Sequence, residues 1–153
     1  MTTPERLMER EIERGTDGRT LILLACGCAK VAVMSSAKEE TILLDMFRAM
    51  WDAVNGTGNR HDYFGRIDCL ERIAMTTRWA PTKWFTAHSV LQAAKAISMI
   101  QGGTVEDQGL FYARIVRAVQ LARMGIDPLI SVEGDAQLVA RMNEILRRKR
   151  KVA

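Results

Sequence analysis

Helix-capping signals recur along this chain at intervals of one helix length, and they constrain its fold more than any other feature. Thr3-Pro4 opens a segment closed by Gly15, Ser36-Ala37-Lys38-Glu39 has the form of a capping box, and Thr104-Val105-Glu106-Asp107 is an acidic relative of one in a segment closed by Gly125. A cap side chain satisfies backbone N–H groups that a first turn leaves open, and glycine adopts the left-handed conformation that ends a last turn. Starts and stops at such regular spacing predict an all-α, single-domain bundle of five to seven amphipathic helices with a basic C-terminal tail. A chain of 153 residues carries one hydrophobic core and is too short for two comfortable ones.

Hydrophobic periodicity fills the intervals. Residues 4–14 set Leu7, Met8 and Ile12 as a narrow stripe among seven charged side chains, which predicts a surface helix. Residues 19–34 are apolar nearly all round and suit a central helix or a buried strand pair hinged at Gly27; frequent alanine and the lack of a turn dipeptide favour the helix. Residues 37–54 place Leu43, Phe47, Met50 and Val54 on one face, and Asn55 to Asn59 has the glycine density of a loop. Residues 60–78 align Tyr63, Ile67, Leu70 and Ala74, with Asp62–Arg66 and Asp68–Arg72 spaced for ion pairs. Pro81 ends that helix or starts the next, over 82–100, which Gly102-Gly103 stops. Helix 105–124 uses Phe111, Ile115, Ala118 and Ala122, and Ile126 to Gly134 reads as a loop or extended link. Asp135 then caps a terminal helix with Leu138, Met142 and Ile145 on one face. The domain boundaries expected are 1–146 for the helical domain and 147–153 for the basic tail.

The longest apolar stretch, Leu21 to Met34, contains Gly27 and Lys30 and falls short of the roughly 20 residues of a spanning helix. Charges alternate through Pro4 to Arg14 where a leader would be basic and then apolar. Both observations lead to an expectation of a cytoplasmic protein with no membrane partner. Three cysteines are an odd count, so a complete disulfide framework is not available. Cys26-Gly27-Cys28 lacks the partners of a four-ligand zinc site and reads as small packing residues, so no metal and no cofactor is expected.

Catalytic motifs are weak. His61-Asp62 resembles the paired residues of metal-dependent phosphohydrolases only on paper, since His88 is the one other histidine. His61 is expected to be solvated and His88 to be a satisfied core residue. Asp68 with Glu71, or Glu40 with Asp45, could bind Mg²⁺, but the facing acidic pairs of an all-α hydrolase are missing. Gly56-Thr57-Gly58 precedes a helix and reads as a loop rather than a phosphate cradle. No nucleophile elbow, P-loop or dinucleotide fingerprint occurs, and the chain is expected not to be an enzyme.

Two surface constellations remain. The net charge of +4 is a property of the C-terminal end: without Arg147, Arg148, Lys149, Arg150 and Lys151 the chain has 17 basic against 18 acidic side chains. Such a run binds nucleic-acid phosphates with release of counterions, and Arg114, Arg117 and Arg123 add to it if they lie near the tail. The first expectation is a regulatory or accessory protein that binds nucleic acid or a nucleoprotein complex. The alternative is a protein-binding inhibitor or adaptor, of the type mobile elements direct at host machinery, using Arg78, Trp79, Lys83, Trp84 and Phe85 around one interhelical turn. The oligomeric state is not legible.

Overall fold

The computed structural model describes residues 2–101, 104–126 and 131–152. They form seven helices: α1 (Pro4–Glu13), α2 (Gly18–Ser36), α3 (Thr41–Val54), α4 (Arg60–Thr76), α5 (Pro81–Ser98), α6 (Gln108–Gly125) and α7 (Ser131–Val152). Two-residue strands β1 (Ile100–Gln101) and β2 (Thr104–Val105) pair antiparallel between α5 and α6. The all-α single-domain reading holds.

Helix α2 is central. It packs on α5, α6 and α7, and its central-helix reading is correct: Leu21, Ile22, Leu24, Ala25, Cys28, Ala29, Ala32 and Val33 are buried. The α5–α6 pair makes the most extensive interface, because alanines on both helices let the backbones approach. Ser89 donates to the Ala118 carbonyl at 2.6 Å across that seam, and Tyr63 donates to the Ala94 carbonyl at 2.5 Å, fixing α4 on α5. All four stripe residues expected on α4 are buried, as are the four on α6. Helix α1 lies against α6 and α7 with Met8 fully buried, and Glu11 is buried beneath Arg14 and Thr16, each bonded to it at 3.1 Å.

Several boundaries differ from expectation, each for a local reason. Thr3 and Gly15 behave as expected: the Thr3 hydroxyl accepts from the Arg6 N–H, and Gly15 takes φ 77°. Ser36, expected to cap α3, instead ends α2, bonding back to the Ala32 carbonyl at 3.1 Å and across to the Thr86 hydroxyl at 2.9 Å. Helix α3 starts later, at Thr41. The cap of α6 is Asp107, which accepts from the Leu110 N–H at 3.0 Å, since Thr104 and Val105 are engaged in the strand pair.

Gly125 and Gly134 also act otherwise than expected. Neither is a left-handed residue. A Cβ on Gly125 would sit 2.2 Å from Thr86 Oγ1, and one on Gly134 would sit 2.7 Å from Ile126 Cγ2. Both are glycines because another element approaches closely. Helix α7 starts at Ser131, and Asp135, expected as its cap, lies inside the helix. The Asp62–Arg66 and Asp68–Arg72 pairs do not form among the described residues. Gly102 and Gly103 lie outside the described residues, as do 127–130 of the expected 126–134 link.

Candidate binding surfaces

The basic run is helical. Helix α7 buries Leu138, Met142 and Leu146 and continues to Val152, so residues 147–152 extend that helix rather than forming a separate tail. Cations at a helix C-terminus interact favourably with its dipole, which offsets part of their mutual repulsion. Arg147, Arg148, Lys149 and Arg150 are exposed. Arg148 pairs with Glu144 at 2.6 Å and Lys149 pairs with Asp17 at the start of α2. Arg147 and Arg150 form no ion pair with any described residue, and the side chain of Lys151 lies outside the described residues.

The three α6 arginines do not join this end as a group. Arg123 is held by Asp135 at 2.8 Å and by Glu5 at 3.1 Å, tying α6 to α7 and α1. The Asp135 hydrogen bond, foremost, raises its pKa further. Arg117 reaches Gln120 at 3.5 Å, and its charge bears on His88, which places it on the α5 side of α6. Arg114 is half-buried. Sequence reasoning passed over Arg141, which shares Glu144 with Arg148 and lies over α2 at Gly27.

The aromatic turn is divided between core and surface. Trp79 is half-buried against the core, while Trp84 is 38% exposed and meets Phe85 edge-on at 5.3 Å. Lys83 sits between Glu39 and Glu40, fastening α5 to the start of α3; its ammonium pKa is raised, first by the hydrogen bond to Glu39. Arg78 is exposed and forms no ion pair with a described residue. Trp84 stacks on His88 with ring centroids 3.9 Å apart.

His88 is not the satisfied core histidine expected. Its Nε2 is buried with no hydrogen-bond partner. Burial, foremost, holds its pKa below the usual imidazole range, with Lys95 and Arg117 acting in the same direction and Glu71 opposing. Glu71 and Lys95 pair with each other at 2.5 Å. Met75, Trp84 and Met124 are exposed on the three adjoining helices.

Other chemistry finds little support. Cys28 is buried and Cys26 is half-buried against the core; burial pushes both thiols up to about 12, while Cys69 is exposed. Among the described residues no three His, Cys, Asp or Glu side chains converge as metal ligands. His61 is exposed, and Asn59 accepts from the His61 and Asp62 N–H groups, occupying the end of α4 where an anion would bind. The open groove beside that loop, about 920 Å³, is lined by Asp45, Asp52 and Asp62 as well as Arg48, Arg60 and Arg66, a mixture with no net attraction for an anion. No family model, curated protein or solved structure matches the chain.

Proposed function

We propose that the protein is a non-enzymatic regulatory or accessory protein that binds nucleic acid, or a nucleic-acid-handling complex, through the basic end of α7. The observation that supports this reading is the exposure of Arg147, Arg148, Lys149 and Arg150 on consecutive positions of a continuous helix, two of them free of ion pairs with described residues. Cations held on a helix meet phosphates at fixed spacing, with less ordering entropy to lose than a free tail. Truncation after Leu146 removes the run. The affinity for duplex DNA then falls, and the slope of log affinity against log salt flattens by about 0.9 for each phosphate that the run had neutralised. A slope unchanged by truncation would refute the reading.

A second reading has its own observation. Trp84, Met75 and Met124 expose apolar surface on adjoining helices, and His88 beneath Trp84 has a buried nitrogen without a partner. This surface suits a protein target, with Trp84 as the anchor. Affinity capture with and without nuclease separates the two, since recovery that survives nuclease and is abolished by Trp84→Ala supports the protein target.

A further inference from the structure

The cations at the end of α7 do not all face one way. Residues three, four and seven apart share a helical face, so those beyond Leu146 divide by position. Arg148 lies above Glu144 and Arg141, at i+4 and i+7 from them. Glu144 accepts from both, at Oε2 from Arg141 at 3.1 Å and at Oε1 from Arg148 at 2.6 Å. Lys149 continues the stripe of Ile145 and Met142, again at i+4 and i+7. Ile145 lies over Gly27, where a Cβ would sit 2.8 Å from its Cδ1, and Lys149 meets Asp17, so α7 runs antiparallel along α2 to that helix's start.

Asp17 is itself held in place. It caps α2, accepting from the Thr20 N–H at 3.1 Å on one oxygen and from the Thr20 hydroxyl at 2.8 Å on the other. A carboxylate already fixed by its own hydrogen bonds loses little further freedom when a lysine joins it. Arg147 and Arg150, three residues apart, are exposed and form no ion pair with any described residue. Arg147 also stands three residues from Glu144, but both oxygens of that carboxylate are taken by Arg141 and Arg148.

We infer that Arg147 and Arg150 are the residues of the basic end that take phosphate, and that Asp17 and Glu144 are internal competitors that withhold Lys149 and Arg148 from it. The inference rests on the nucleic-acid reading proposed above and deepens it by dividing the run into an open pair and a closed pair. A phosphate that takes Lys149 breaks the contact with Asp17, so one ion pair is exchanged for another. The released carboxylate is then left beside the phosphates, where like charges repel. Arg147 and Arg150 have no such pair to give up. Neighbours three residues apart on a helix stand about 5–6 Å apart at Cβ, so both reach one short stretch of phosphate backbone.

Anisotropy of a labelled mixed-sequence DNA duplex, measured over a range of salt concentrations, tests this division. Glutamine is the replacement because it removes the charge and keeps helix propensity, and circular dichroism confirms the fold of each variant. Arg147→Gln and Arg150→Gln are each expected to flatten the slope of log affinity against log salt by about 0.9, whereas Arg148→Gln and Lys149→Gln change it little. Asp17→Asn retains a capping side chain and frees Lys149, so binding tightens by up to about fivefold, the worth of an exposed ion pair; Glu144→Gln acts likewise. The gain from Asp17→Asn vanishes in a Lys149→Gln background, which a general change of net charge would not produce. Asp68→Asn, on the exposed side of α4, changes the net charge equally and leaves the affinity nearly as it was. Equal losses from all four glutamine variants of the run, or no gain from Asp17→Asn and Glu144→Gln, overturn the inference, and the basic-end reading still stands if truncation after Leu146 abolishes binding. If neither the wild type nor Asp17→Asn/Glu144→Gln binds duplex at low salt, both are overturned.

Discussion

Gly125→Ala is the substitution in which a single methyl group most directly tests the packing. Gly125 closes α6 where the N-terminal part of α5 crosses it. An added Cβ would lie 2.2 Å from Thr86 Oγ1, 3.1 Å from Thr86 N and 3.2 Å from Thr86 Cα. The 2.2 Å clash is with a fully buried side-chain oxygen, and even with that hydroxyl turned aside the two backbone contacts are tighter than ordinary packing, so the helices must give by a few tenths of an ångström. Overpacking of this kind costs about 1–3 kcal/mol. The Thr86 hydroxyl also bridges α5 to Ser36 at 2.9 Å and to the Gly125 carbonyl at 3.4 Å, and disturbing that bridge adds about 1 kcal/mol. The expected destabilisation is about 2–4 kcal/mol, or roughly 5–15 °C in the unfolding midpoint of a chain this long. Gly65 on α4 provides the contrast, because a Cβ there meets nothing within 4 Å. Gly65→Ala is expected to stabilise by about 0.5–1 kcal/mol through helix propensity alone. Urea denaturation followed by circular dichroism measures both. The double variant Gly125→Ala/Thr86→Ala recovers only part of the stability, since the tight backbone contacts persist and the hydroxyl bridge is lost. Wild-type stability in Gly125→Ala, or a greater destabilisation in Gly65→Ala, would refute the argument from close approach.

Two further predictions concern titrating groups. Native protein treated with a thiol reagent at mildly alkaline pH is expected to release one equivalent rapidly, from exposed Cys69, a second slowly from half-buried Cys26 and the third, from buried Cys28, only on unfolding, because burial pushes the Cys26 and Cys28 thiols up to about 12 and keeps them protonated; rapid release of three would refute that shift. His88 takes up a proton less readily in the folded chain than in the unfolded one, whose imidazole has the ordinary value of 6.5. Its contribution to stability is complete above that value and is lost as pH falls through the depressed folded pKa. The stability difference between wild type and His88→Gln, followed from pH 7.5 downward, should shift against the wild type in the acid range; a difference that stays flat would sink the assignment of a buried, unpartnered Nε2.

The helices were legible in the sequence wherever burial is set by one helix against the core. Tyr63, Ile67, Leu70 and Ala74 on α4, and Phe111, Ile115, Ala118 and Ala122 on α6, follow the helical period and are all buried. Boundaries were less legible, because Ser36, Thr104 and Gly125 have meanings that depend on a second element. Ser36 reads as a cap until Thr86 comes within 2.9 Å, and Gly134 reads as a loop residue until Ile126 is placed against it. A capping box is a local pattern, whereas a close approach is a property of two segments far apart in sequence.

The same distinction explains what could be read of the surfaces. The run Arg147–Lys151 is contiguous and therefore visible, and so is the aromatic turn at Trp79–Phe85. Pairing is not visible in advance: Arg123 looks like a free cation until Glu5, far away in sequence, lies 3.1 Å from it. Arg141 likewise takes its meaning from other elements, since it lies over Gly27 of α2 and shares Glu144 with Arg148. The charge that the basic end offers a partner is therefore set by the carboxylates that fold against it, Glu144 and Asp17, and not by the count of cations in the run.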